Sequence, residues 1–259
     1  MPLTKHKIKR YGWLVDTPDH RDHVYAAPAL RVARLPRKID LRPLCPRTVY
    51  DQGQLGSCTG NAIAAAIQFD RLKQKLKPDF IPSRLFIYYN ERSMEGTIAS
   101  DSGAQIRDGI KSVAKLGDCP EVEWPYDIAR FATRPGAKCF RDARRYRAVA
   151  YQRVTQILPQ MRGCLASGYP FVFGFSVYES FEDARVAKTG IARMPARRER
   201  QLGGHAVLAV GYDDASRRFL VRNSWGPKWG MGGYFTLPYD YLADPNLADD
   251  FWTIRIIAK

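Results

Sequence analysis

Apolar positions recur along this chain with two different spacings, and the change between them divides it. From Cys58 onward, Ala62, Ile63, Ala66, Ile67 and Leu72 mark one face of a helix in an alanine-rich stretch that favours that state. A second helix is predicted after Pro82, with Ser83 as N-cap and Leu85, Phe86, Tyr88 and Tyr89 as its apolar positions. A third fits residues 104–116, closed by Gly117 just past its end. Asp118-Cys119-Pro120 and Trp124-Pro125-Tyr126 then break regularity. The later part changes character: residues 171–177, 206–212, 219–222, 233–237 and 251–257 are short runs rich in β-branched and aromatic residues. Asp213-Asp214-Ala215-Ser216 reads as a hairpin turn between two of them. Helices lead and strands follow, which predicts an α+β fold of two packed halves, about 50–150 and about 151–259, with a cleft between them.

Residues 1–38 fit neither half. They carry His6, His20 and His23, many charges and one apolar patch at Tyr11, Trp13, Leu14 and Val15, and Pro28 and Pro36 punctuate the exit. Too small for a core of its own, this stretch is expected to be an extension laid over the body at 39–259. At 259 residues and 45% hydrophobic content, the chain as a whole can bury a substantial core, which excludes wholesale disorder. No apolar run approaches the length of a membrane span. The basic N-terminus has no apolar stretch after it, so no Sec signal is read, and the expectation is the cytoplasm or export by another route.

Net charge changes the picture only a little. At +15 it invites polyanions, and it thickens at residues 5–10, 141–147 and 193–200. No helix-turn-helix, RNP or zinc-finger pattern organises it, so a solvated basic surface open to anionic ligands is the expectation. The five cysteines, Cys45, Cys58, Cys119, Cys139 and Cys164, form no C-x-x-C pair and no dense disulfide framework. Buried thiols are expected, with a single Cys119–Cys139 bridge the pairing left open.

Candidate chemistry starts with a count. Beyond residue 23 the chain contains one histidine, His205, in Gly203-Gly204-His205-Ala206-Val207 at the entrance to an apolar strand. Cys58 ends the polar, glycine-bearing loop Asp51-Gln52-Gly53-Gln54-Leu55-Gly56-Ser57 and begins a helix, where the positive end of the dipole favours thiolate. Asn223-Ser224-Trp225-Gly226 follows, then Trp229-Gly230. An asparagine can accept an imidazole N–H and hold the ring, and the following Trp can shield that bond. Each segment alone also reads as plain structure: a small residue at a helix start, a histidine at a strand end, a glycine-rich turn.

Taken in order, Gln52, Cys58, His205 and Asn223 resemble the papain family of cysteine peptidases. Gln52 stands six residues before Cys58, as in that family. His205 falls inside the roughly 130–150-residue interval from the nucleophile, and Asn223 slightly beyond it. Gln-Gly-x-x-Gly-Ser-Cys, His-Ala-Val-x-Ala-Val-Gly-Tyr and Asn-Ser-Trp-Gly-x-x-Trp-Gly are similar to family signatures, and Ile39-Asp40-Leu41-Arg42 to the start of a mature chain. Departures include Leu55 where many members carry a disulfide cysteine, Thr59 where an aromatic follows the nucleophile, and Gly204 where papain has an acidic residue. The extension is far shorter than the usual helical propeptide, which fits a bacterial or archaeal branch.

The resemblance implies a two-lobed fold, a helical lobe bearing the nucleophile helix beside an antiparallel, barrel-like lobe. It implies acyl transfer from peptide to water by a Cys58 thiolate, with His205 as acid and base, Asn223 fixing the ring, and Gln52 binding the oxyanion. Neither metal nor organic cofactor is required. Gly103, Gly174, Ala206 and Trp225 are the implied substrate contacts, the first pairing with extended peptide and the next two bordering a roomy apolar pocket for the residue two before the cut. The extension is expected to block the cleft or to strap the surface. Rival readings are a thiol acyltransferase or ligase on the same site, and a nucleic-acid or anion-binding protein on a degenerate scaffold.

Overall fold

The computed structural model describes residues 11–258. In chain order the strands are β1 (Trp13–Leu14), β2 (Val24–Tyr25), β3 (Lys38–Asp40), β4 (Ala104–Gln105), β5 (Ala148–Val154), β6 (Phe171–Tyr178), β7 (Gln201–Asp213), β8 (Arg218–Arg222), β9 (Tyr234–Pro238) and β10 (Ala248–Ile257). The helices are α1 (Ala29–Val32), α2 (Cys58–Lys73), α3 (Arg84–Glu95), α4 (Ile106–Lys115), α5 (Ala137–Ala143), α6 (Leu158–Ala166), α7 (Ala184–Thr189) and α8 (Tyr239–Ala243).

Helix α2 starts at the expected residue, but it is buried from Cys58 through Arg71 rather than along one stripe. It packs against α3, β7 and β10, so burial on every side rather than along one stripe is what its position demands. Small residues make that possible: Gly60 lies so close to the Arg84 carbonyl that a Cβ there would sit 2.7 Å from it. Ser83 caps α3 as expected, its hydroxyl accepting from the Phe86 N–H at 3.2 Å. Helix α4 begins two residues later than predicted, because Ala104 and Gln105 pair with Trp13 and Leu14 of the extension instead. Gly117 then closes it at φ +79°, packed against the Ala143 carbonyl.

The remaining strands form an eight-stranded sheet ordered β2-β5-β10-β6-β7-β8-β9, with β3 added beside β7. Except for the parallel β2–β5 pair, the neighbours are antiparallel. Phe171, Phe173 and Phe175 of β6 anchor its core, and Phe173 stacks on Phe251 with ring centres 5.6 Å apart and planes 4° from parallel. The turn at Asp213 is closed by its own carboxylate, which accepts from the Ala215 N–H at 2.9 Å. Two features differ from expectation. Strand β7 begins at Gln201, ahead of His205, and β5 was not predicted because its polar, half-exposed residues lack alternation.

The extension is woven into this body. Besides the β1–β4 pair, β2 adds to β5 through Val24↔Arg153 and Tyr25↔Val154, and α1 rests on α6. Trp13, Tyr25 and Ala27 are buried in the main core cluster. Among the described residues no helix is long and apolar enough to cross a membrane. Of the basic clusters, residues 5–10 lie outside the described residues, as does His6.

Candidate active site

Cys58 is the first residue of α2, at the mouth of the cleft between that helix and β7, and its side chain is wholly buried. Backbone N–H groups of Ala206, Gly12 and Thr59 face its sulfur and favour its charged form. Ala206 adjoins His205 on β7, the strand that packs against α2. His205 stands opposite Phe175 in the β6–β7 register.

His205 Nε2 lies 2.8 Å from Asn223 Oδ1, which also accepts from the Ser224 N–H at 2.8 Å. An amide oxygen can only accept, so Nε2 carries the hydrogen and Nδ1 is the basic nitrogen. Trp225 stacks on the imidazole at 5.0 Å with planes 27° apart, and Phe175 meets it edge-on at 5.7 Å. The histidine–asparagine bond is thus shut away from water, as Asn223 and Trp225 are both buried.

Gln52 is also fully buried. Its backbone N–H donates to the Ser224 carbonyl at 2.9 Å, its side-chain amide to the Leu55 carbonyl at 2.9 Å, and its Oε1 accepts from Ser224 Oγ at 2.6 Å. Those contacts fix the amide so that its nitrogen end faces the loop before Cys58. Ser224 stands in the sequence only as part of a motif, yet its hydroxyl is what orients Gln52. Tyr126 is a second residue that the sequence does not single out, lying in a segment that breaks regularity. Its hydroxyl donates to the Gln52 carbonyl at 3.0 Å and meets Ser57 Oγ at 2.5 Å. Beside the nucleophile, Thr59 donates to fully buried Glu91 at 2.7 Å.

Burial pushes the Cys58 thiol up to about 12, aided by the Glu91 charge and opposed by the N–H groups of Ala206, Gly12 and Thr59. The helix start favours thiolate, and removal from water under the cover works against it.

The cover is the extension. The Gly12 carbonyl accepts from the Ala104 N–H at 2.8 Å, and Gly103, at φ +79°, would drive any Cβ into that carbonyl. The Gly103 N–H itself goes to Tyr88 Oη at 3.1 Å, so Ala104, not Gly103, makes the backbone bond to the covering segment. Trp13 lies flat against Gly174 and Gly204, where any side chain would collide with its ring. Ala206 pairs with Gly174 across the strands. Tyr11 packs edge-on to His205 at 6.1 Å and donates to Glu182. Of the four residues expected at the cleft, Gly103 meets Gly12, Gly174 meets Trp13, Ala206 pairs with Gly174, and Trp225 lies 6.5 Å from the Tyr11 ring. Outside the cleft, Asp250 accepts from Trp13 Nε1 at 3.0 Å and from the Asp16 N–H at 2.8 Å, while Trp252 donates to Asp16 at 2.9 Å.

The profile described as papain family cysteine protease matches residues 35–244. An uncharacterised peptidase C1-like protein of Acanthamoeba polyphaga mimivirus is 44% identical, the match covering 95% of this chain and 87% of that one. The crystal structure of xylellain, a cysteine protease from Xylella fastidiosa, shares 48% identity with a TM-score of 0.90 over 97% of this chain and 98% of that one. A procathepsin B from Trypanosoma congolense, 20% identical, shares the fold at a TM-score of 0.69 over 87% of this chain and 79% of its own. These likenesses support the peptidase reading and not the acyltransferase or anion-binding ones. With a family profile spanning most of its length and a site of this make-up, the chain belongs to the papain family and is a cysteine peptidase.

Proposed function

We propose that Cys58, His205, Asn223 and Gln52 carry out peptide hydrolysis, and that residues 11–15 hold the enzyme latent by lying through its cleft. With the cover gone, the thiol regains water and loses its main reason to stay protonated. Its proton passes to His205 Nδ1, and the thiolate attacks the scissile carbonyl. The Gln52 amide and the Cys58 N–H receive the negative charge that develops on oxygen. Collapse expels the amine, which takes the proton from His205, and water then attacks the thioester with the imidazole as base. Asn223 keeps the ring in the tautomer and plane both steps use.

The observation that carries this reading is the 2.8 Å bond between His205 Nε2 and Asn223 Oδ1, with the N–H of the next β7 residue, Ala206, facing the Cys58 sulfur. For specificity, Gly174 and Ala206 border the pocket for the residue two before the cut, the backbone at Gly103 and Ala104 pairs with extended peptide, and Trp225 roofs the site. That Trp13 fills the ground over Gly174 supports a pocket accepting large apolar and aromatic side chains. Residues 39–259 form the catalytic body in this reading.

Hydrolysis of a fluorogenic peptide with Phe two before the cut tests it. Removing a buried Trp anchor costs a docked segment about 2 kcal/mol or more. Trp13→Ala therefore raises kcat/KM by about tenfold or more over the full chain. Equal rates would refute latency, and absence of turnover in Trp13→Ala and the full chain alike would refute the hydrolase assignment of these residues.

A further inference from the structure

Around the loop between α4 and α5, three residues meet. Cys119 sits in the loop leaving α4, Glu123 four residues on, and Cys139 in the first turns of α5. The two sulfurs and a Glu123 carboxylate oxygen all lie within 4.8 Å of one another. Both cysteines are buried free thiols, and Cys139 Sγ is 3.6 Å from the Glu123 carbonyl. Around a tetrahedral ion with bonds of about 2.0–2.3 Å, donors stand about 3.5–3.8 Å apart, so small side-chain rotations would close this set on one.

Glu123 Oε2 is buried with no hydrogen-bond partner among the described residues. Its Oε1 is held by Lys138 at 2.6 Å, but that ammonium is 60% exposed and a weak competitor. Asp118, preceding Cys119, is fully buried and makes no ion pair among the described residues. A buried carboxylate oxygen left unpaired is costly, and a cation is what would satisfy it.

We propose that Cys119, Glu123 and Cys139 form a structural site for a thiophilic divalent cation of the zinc type, with water as the fourth ligand. Two thiolates and one carboxylate select such an ion over magnesium or calcium, whose ligands are oxygens. Binding releases the two thiol protons and changes no oxidation state. A Cys119–Cys139 disulfide would use the same sulfurs but leave Glu123 Oε2 unsatisfied, which is why the cation is favoured. The ion would staple α5 to the loop that carries Tyr126, and Tyr126 bonds Gln52 and Ser57 behind the nucleophile. It takes no part in acyl transfer.

The test uses the full chain as Cys58→Ser, so that the nucleophile cannot bind metal, stripped of metal and reduced with a phosphine. Zinc is titrated against a chromophoric chelator, and cobalt(II) is added separately as a spectroscopic probe. The site predicts one equivalent bound, a near-ultraviolet sulfur-to-cobalt band, and a thermal midpoint about 5–10 °C higher at 100-fold excess over Kd. Adding Cys139→Ser abolishes all three. Glu123→Gln, which keeps the shape, retains the band and weakens binding by about tenfold or more. The proposal is overturned by absence of stoichiometric binding, by binding that Cys139→Ser leaves unchanged, or by loss of the Cys119 and Cys139 thiols to a disulfide in the protein as isolated.

Discussion

At the scale of single residues, the catalytic assignment rests on hydrogen bonds that fix three side chains. The least obvious is the bond from Ser224 Oγ to Gln52 Oε1 at 2.6 Å, since it decides which end of the amide can donate. Gln52→Ala removes an oxyanion donor and should lower kcat by about 10²–10³ with KM little changed. Ser224→Ala loses only the orienting bond, worth about 1 kcal/mol, and should lower kcat about fivefold. Steady-state kinetics on the unblocked enzyme checks both, and a Gln52→Ala variant as fast as wild type removes Gln52 from the mechanism. Much of this scale was legible in the sequence, because the four residues sit in ordered strings and His205 is the sole histidine of the catalytic body. What was not legible is environment. The thiol of Cys58 is governed by how completely Gly12 and its neighbours exclude water, and no local string encodes that.

At the scale of elements, α2 and α3 were readable because capping and an apolar face announce them, and the core strands because β-branched and aromatic runs do. The two-residue strands β1 and β4 have no period to read, and β5 is half-exposed along its middle. Their places are set by partners distant in sequence. That matters for the extension, which divides into two parts. Residues 11–15 cover the cleft, whereas Asp16, Asp22 and Tyr25 tie the rest to β5, α4 and β10: Arg107 pairs with Asp22 at 2.5 Å, Arg153 with Asp22 at 3.7 Å, and Trp252 Nε1 donates to Asp16 at 2.9 Å. Deleting residues 1–15 should therefore raise peptidase activity about tenfold or more while retaining the fold. Deleting 1–38 strips Tyr25, Ala27 and a sheet strand from the core and should cost several kcal/mol, on the order of 3–5 for each large buried aromatic lost. Activity assays with denaturant melts of the two truncations separate these outcomes; equal stability would mean the anchors carry no weight.

At the scale of the molecule, the extension and the body share a buried acidic latch, and pH should act through it. Burial, with the charges of Asp16 and Asp249 added, pushes the Asp250 carboxyl up to about 7 against the pull of Arg153 and the Asp16 N–H. Asp16 is likewise raised by burial, against Arg107, Arg153 and the Trp252 N–H. An acid whose affinity for its proton is raised by being covered favours the covered form at low pH. Docking is then tightest below the ordinary carboxyl value of about 4 and loosens as pH climbs to about 7, by at most about tenfold per pH unit for one proton. Hydrogen exchange at the Trp13 and Asp16 amides, corrected for intrinsic rate, should show protection at pH 5 that falls by pH 8, and Asp250→Asn should flatten the trend. Protection that rises with pH would contradict the latch.

The account stands or falls on Cys58 being a nucleophile made reactive by His205 and masked by the extension. Mass-resolved labelling by a peptidyl epoxide reads this directly. In Trp13→Ala the account predicts one equivalent on Cys58 and none on Cys45, Cys119, Cys139 or Cys164, much slower labelling of the full chain, and no labelling when His205→Ala is added. Labelling of Cys58 at the same rate with and without His205, or of another cysteine in its place, would contradict it.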